Sequence, residues 1–578
     1  MSETGKFIIP RATGTHGDVF VAVGLADLLA SAERAREVQI VETSRGFEVR
    51  PSLDGDEYGA FPQIPGYPFL KASPKVVVPR KVGDWVDYAR EKQKADRRKK
   101  LIQGKKLKSL GADAEQLLKQ DELRPDWRLL QVLNTLQGDE TSNRLHALIA
   151  GMRADEFSQA IAGALGALAD SRPSGLQWPA NSVQLFAPIA AKGYSRLKPD
   201  STDRNDKTKE QWTDPFVEWL RYRGYFAVAC PFFHGSRAEN VRLLCPVPRN
   251  LSLKALRAVT DELRAAGIFG GPPKLDSLAV LKLAELLIKR SEEYAATLAT
   301  SPIPGCRLFG KSPADLVSGV CVTNYQSLGN AKAVSSLAVI ALPGWFVVSS
   351  AEEARAFLDI LDEHQRVIRS LREDRSDEIG LLLGYRGFLQ ARGEAAVTTL
   401  FDFMARYGAF VLRAREQKRR IPQFTTESLE KLVMKNAEPL SAILTDPGFS
   451  AVAAAIRNAT VNAQAQKAMD RDYRDIRYDL IPDLRRKSGL PGNSPLIEVI
   501  SRFISLYNVE NARRWELKKP APRNVTTEEF AAVVRLIDAY GAATVGPMLC
   551  AYASCRLPKR EETGVAAGEP EAAADEQE

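Results

Sequence analysis

A chain of 578 residues is about four times a ~150-residue domain, so two to four domains and an ample core are expected. Hydrophobic residues make up 44% and charged residues 26%, and 39 Gly with 33 Pro exclude collagen, mucin and pervasive disorder. The net charge is +8 but uneven: residues 561–578 hold seven acids and no base, which leaves +15 on the rest and points to a polyanionic partner, nucleic acid ahead of a membrane surface.

The N-terminus lacks a signal-peptide pattern. Residues 6–50 read as α/β: a short strand Phe7–Pro10, a Gly/Thr-rich turn, a helix over Val19–Ala30, then paired strands Val38–Val41 and Phe47–Val49. Residues 51–82 are rich in Pro and Gly and are expected to wind over a surface. A basic insertion follows around 85–125. Arg90 to Lys108 carries ten bases against Glu91 and Asp96, net +8 in nineteen residues, helix-forming and broken at Gly104. A solvated helix face is the plain reading; the imbalance favours phosphate contact by Arg97, Arg98, Lys99, Lys100, Lys105 and Lys106.

Residues 126–170 read as helical. Strands are expected at Val183–Ile189, Tyr225–Phe233 and Val241–Val247, with a polar loop from Lys192 to Lys209 between the first two. Residues 251–300 hold amphipathic helices, and Leu337–Leu342 and Trp345–Val348 are strand-like. Beyond about residue 350 strand signals nearly vanish, and amphipathic helices run at roughly 352–373, 376–416, 426–445, 448–468, 494–515, 526–538 and 542–556. The pattern predicts an α+β protein: a mixed α/β body over 1–350, an all-helical bundle over 351–560, and a disordered acidic tail over 561–578. No apolar run reaches eighteen residues, so no membrane span is expected.

Signs of catalysis are few. The four histidines, His16, His146, His234 and His364, form no metal-binding or nuclease doublet, and no nucleophile elbow is present, so no catalytic residue, metal or cofactor is expected. Six cysteines without a CxxC pair fit a reducing cytoplasm. Gly305 to Ser312 spells GxxxxGK[ST], but Ala-Thr-Ser-Pro-Ile-Pro precedes it instead of a buried strand, and no apolar run ending in Asp follows. An ATP-binding enzyme stays as one alternative and a protein-binding scaffold as another.

Nucleic-acid constellations are richer. Residues 323–332 set amides, an aromatic and a base around one Gly; Asn324, Gln326, Asn330 and Lys332 are candidates for reading base edges, against a plain turn between strands. Arg196 and Lys198 in the polar loop, and Arg237 after Phe232-Phe233-His234, are candidates for backbone contact. In the bundle, Arg413, Arg415, Lys418, Arg419 and Arg420 end one helix, and Arg485 and Arg486 lie on another basic run. Tyr507, Asn511, Arg514 and Lys518 share a helical face; Tyr507 is suited to base stacking or to bundle packing, and so is Trp515.

Three strings, Thr13-Gly-Thr-His-Gly-Asp-Val-Phe through Leu29, Lys192-Gly-Tyr-Ser-Arg-Leu-Lys-Pro-Asp200, and Ser505-Leu-Tyr-Asn-Val-Glu-Asn-Ala-Arg513, sit in an α/β body with a basic surface and a helical end. In this the chain resembles the large subunit of type I CRISPR effector complexes (Cascade). The resemblance implies a non-catalytic cytoplasmic subunit that reads a protospacer-adjacent motif in duplex DNA, aids R-loop formation and recruits a helicase–nuclease. It implies guide RNA, target double-stranded DNA, and backbone and small subunits as partners. Met404, Met434 and Met469 would each permit an internal start yielding a small subunit, as in some relatives of that family.

Overall fold

A computed structural model of the chain describes residues 5–55, 58–63, 68–102, 112–136, 139–179, 185–186, 188, 214–234, 240–328 and 331–557. It is α+β, with the sheets in the N-terminal part and helices alone, among the described residues, in the C-terminal part. Two compact units, Met1–Ala396 and Val397–Glu578, divide it.

The first unit opens with β1 (Phe7–Pro10), α1 (His16–Ala30), β2 (Ala35–Thr43) and β3 (Gly46–Leu53). The parallel pair β4 (Phe69–Lys71) and β5 (Trp85–Asp87) leads into α2 (Tyr88–Ile102). Helices α3 (Ala112–Gln120), α4 (Trp127–Thr135), α5 (Asp139–Gly151), α6 (Ala154–Ala169) and α7 (Pro215–Val228) follow. Then come β6 (Cys230–His234), β7 (Asn240–Pro248), β8 (Asn250–Ser252), α8 (Leu253–Ala265), α9 (Pro272–Lys289), α10 (Glu292–Thr297) and α11 (Pro313–Leu316). The hairpin β9 (Val317–Leu328) and β10 (Ala331–Ala341), with α12 (Ala351–Ser370) and α13 (Ser376–Gln390), completes it. Two antiparallel sheets result, ordered β1-β3-β2-β8 and β10-β9-β7-β6.

Helix α1 is buried nearly all round, as a helix apolar on every face must be. Thr15 caps it, its side chain accepting from Gly17 N. Asp18 accepts from Thr13 N and Oγ1 and from Gly14 N, closing the Gly/Thr turn on itself. Across α1 lies α7. A Cβ on Gly24 would fall 1.8 Å from the Leu220 carbonyl oxygen, and one on Gly224 would fall 2.0 Å from that of Phe20. Two glycines therefore set how closely the helices cross.

Three expectations are corrected. Tyr225–Val228 ends α7 rather than starting a strand: Asp214 caps this helix, Pro215 sits at its start, and Phe216, Trp219 and Tyr225 are buried along it. Trp345–Val348 makes only a bridge from Val348 to Lys311. Its Trp345 ring packs on Phe357, His364 and Phe388 instead. Residues 323–332 are mostly strand, in β9 and β10, with only the tip 329–330 outside the described residues. Helices α12 and α13 pack on α9, within the first unit.

The second unit holds α14 (Glu394–Glu416, beginning just before the division), α15 (Thr426–Asn436), α16 (Glu438–Leu444) and α17 (Pro447–Arg457). A π-helical turn, Asn458–Asn462, joins α17 to α18 (Ala463–Ala468). Next are α19 (Leu480–Ser488), α20 (Ser494–Glu516), α21 (Thr527–Tyr540) and α22 (Ala542–Ser554). Helix α17 packs on α21 and α22, and α19 on α20 and α22. By length and composition α14 could cross a membrane, but 67% of its apolar window is buried inside the protein, as in a core helix.

Candidate nucleic-acid interface

Exposed cations without ion-pair partners among the described residues include groups on α2 and at the ends of α14 and α20. On α2, Arg97 makes a two-pronged bond to Asp121, Nε to Oδ2 at 2.7 Å and Nη2 to Oδ1 at 2.6 Å. This bond holds the Asp121 carboxyl below, and the guanidinium above, their ordinary values. Arg98 donates to the carbonyls of Leu118 and Asp121. Both arginines therefore fasten α2 to the C-terminal end of α3 and the residue after it. Arg90, Lys92, Lys99 and Lys100 are exposed and have no ion-pair partner among the described residues. Lys105 and Lys106 lie outside the described residues, as do Arg196, Lys198, Arg237 and Asn330.

In the second unit α14 and α20 end alike. Lys418 N donates to the Arg415 carbonyl and Arg419 N to that of Ala414. Lys518 N donates to the Trp515 carbonyl and Lys519 N to that of Arg514. This is the Schellman pattern, which needs a left-handed residue, usually glycine, just past the helix. Here lysines occupy the position, with φ +58° at Lys418 and +55° at Lys518. Each follows a helix whose last turn already carries arginines: Arg413 and Arg415 on α14, Arg513 and Arg514 on α20. The negative helix ends favour these charges. Arg413, Lys418, Arg420, Arg513 and Lys518 are exposed without ion-pair partners among the described residues. The Arg419 guanidinium lies 5.5 Å from the Phe410 ring centre. Sequence reading finds these cations but not their left-handed backbone, since no residue-type rule signals lysine there.

Other predicted contacts are already paired within the fold. Arg485 bonds Asp402 at 2.7 Å, Arg486 pairs at the surface with Asp483 at 3.0 Å, and Arg514 bonds Asp472 and the Pro520 carbonyl. Tyr507 and Asn511 are buried. Arg474 lies 4.0 Å from the Tyr507 ring centre and 3.1 Å from Asn511 Oδ1. The predicted face is the packing face of α20, and stacking on Tyr507 is ruled out by its own neighbour. The opposite face exposes Arg502, Leu506, Val509 and Arg513, and Trp515 is 76% exposed beyond them.

At the β9–β10 hairpin, Asn324 is buried rather than available to a base edge. Its Oδ1 lies 2.7 Å from His234 Nε2, and its Nδ2 donates to Ser335 Oγ at 2.7 Å. Gln326, one pleat nearer the tip, is exposed, and Lys332 follows near the start of β10.

Chemistry-bearing groups elsewhere are absorbed by the fold. His16 is enclosed: Nε2 donates to the Leu185 carbonyl and Nδ1 accepts from Thr323 Oγ1, both at 2.8 Å. Burial lowers its pKa to about 4, and that of His364, bonded to Tyr385, to about 3. Among the described residues no three His, Cys, Asp or Glu side chains gather as a metal site would require. At Gly305–Ser312 the amides that would face a phosphate are taken: Gly305 N donates to Glu292 at 2.7 Å and Leu308 N to Glu293 at 3.1 Å. The helix that follows, α11, has four residues. A cleft of about 800 Å3 is lined by Asp27, Arg124, Arg223 and Arg257 among others, but Asp27 pairs with Arg223 and Arg257, and Arg124 with Asp126. Most of its charges satisfy one another.

No family model matches the chain, and no curated protein matches it.

Proposed function

We propose that the chain is a nucleic-acid-binding subunit that grips polyphosphate without itself making or breaking bonds. The particular reading is the large subunit of a cytoplasmic RNA-guided surveillance complex, reading a short motif in duplex DNA, aiding R-loop formation and recruiting a helicase–nuclease. The observation that carries it is the placing of exposed cations at the ends of α2, α14 and α20, two of them lysines held in a backbone conformation that disfavours them. Within it, the hairpin tip with Gln326, Asn330 and Lys332 is the motif reader, and Asn324 shapes that hairpin from inside. The exposed Leu506, Val509 and Trp515 favour a protein contact as well, as a subunit of an assembly needs.

The test is charge reversal on the surface cations. Lys92→Glu, Lys99→Glu and Lys100→Glu together, or Lys418→Glu with Lys518→Glu, should weaken binding of any duplex and flatten its dependence on salt. Gln326→Ala and Lys332→Ala should instead reduce discrimination between target sequences. Binding that is indifferent to both sets refutes the assignment, and nucleotide turnover by the pure chain refutes the non-catalytic reading.

A further inference from the structure

We propose that the acidic run Glu561–Glu578 docks on the cationic end of α14 and competes there with nucleic acid; the competition rests on the function proposed above, the docking does not. The chain's path brings the two together. Arg556 N donates to the Phe424 carbonyl at 2.8 Å, and Thr426 N donates to the Arg556 carbonyl at 3.1 Å, a parallel bridge between residues 425 and 556. Gln423 Nε2 donates to the Ser554 carbonyl at 2.9 Å. The last described residues are thus pinned beside the strip that leaves α14, five residues from Arg420 and seven from Lys418. Those few residues span at most about 25 Å fully extended, and the twenty-one that follow Leu557 reach up to about 70 Å. The acids from Glu569 onward can therefore reach the patch.

The charges match. Arg413, Lys418, Arg420 and Arg556 are exposed with no ion-pair partner among the described residues, and Arg419 adjoins them over Phe410. The run supplies seven acids and no base, so the preceding Lys559 and Arg560 leave it five charges in excess. A tethered run of this length acts at an effective concentration of roughly 1 mM. Against an electrostatic contact of about 100 μM, the weak end of non-specific polyanion binding, that concentration reduces the patch's affinity for a competitor about tenfold.

Zero-length carbodiimide coupling of the full chain tests the docking without nucleic acid. A bond between Lys418 and a carboxylate of residues 561–578, found by mass spectrometry in the monomer band and suppressed at high salt, is expected; its absence overturns the proposal. The competition is tested with a fluorescent duplex DNA 30-mer. Changing the seven acids to their amides should tighten binding about tenfold at low salt, with the difference vanishing at high salt, and excess 30-mer should suppress the Lys418 coupling. Equal affinities of the two forms overturn the competition. A 30-mer bound by neither form refutes the nucleic-acid reading instead, and the coupling still decides the docking.

Discussion

Replacing Lys418 and Lys518 separates what the fold wants from what a polyanion wants. Both lysines sit at left-handed positions, at φ +58° and +55°. That conformation costs a residue with a Cβ roughly 1–2 kcal/mol. Glycine removes the cost but gains unfolded-state entropy worth roughly 0.4–1 kcal/mol. Alanine keeps the cost. Both substitutions lose the attraction of the ammonium to the helix end equally, at roughly 0.3–1 kcal/mol. Lys418→Gly should therefore be more stable than Lys418→Ala by about 0.5–1 kcal/mol, and likewise at 518, or roughly 1–4 °C in the melting of a unit this size. For nucleic acid the two substitutions are equivalent: each deletes one cation and should lower the slope of log affinity against log salt by about 1. Paired melts and anisotropy titrations across a salt series read both quantities. Gly and Ala variants of equal stability would show that the left-handed lysines carry no strain. Unchanged salt slopes would show that these cations do not touch phosphate.

Other outcomes follow from the packing. Gly24→Ala drives a Cβ into the Leu220 carbonyl and should cost about 3 kcal/mol or more, whereas Gly163→Ala in α6 meets open space and should stabilise by about 0.5–1 kcal/mol; thermal melts compare them. His16, with its pKa lowered to about 4, is neutral when folded, while the unfolded chain takes a proton below about 6.5. Its contribution is complete above pH 6.5 and lost as pH falls toward 4, by about 3 kcal/mol in all, so denaturation midpoints should fall over that window and fall less in His16→Gln. Asn324→Ala strands His234 and Ser335 and should cost about 1–3 kcal/mol, whereas exposed Gln326→Ala should leave the melting temperature unchanged.

Sequence alone determined the α+β body, the turn to helices, the paired strands at 38–41 and 47–49, and most helices of the second unit, because those segments bury one face at a fixed period. It also found the cation-rich runs, since charge is additive along a chain. It misplaced Tyr225–Val228, where a buried helix and a buried strand are both runs of apolar residues and only the Asp214–Pro215 start tells them apart. Tertiary structure decided which charges are paired. Arg97 and Arg485 carry the same charge as Lys99 and Arg420, but an acid distant in sequence, Asp121 or Asp402, holds the first two. The same holds for the amides: Asn324 and Gln326 lie two residues apart in one strand, yet His234 and Ser335 claim the first and leave the second to solvent. Long-range partners fix the direction of a polar side chain, and no local pattern of residues encodes where those partners will be.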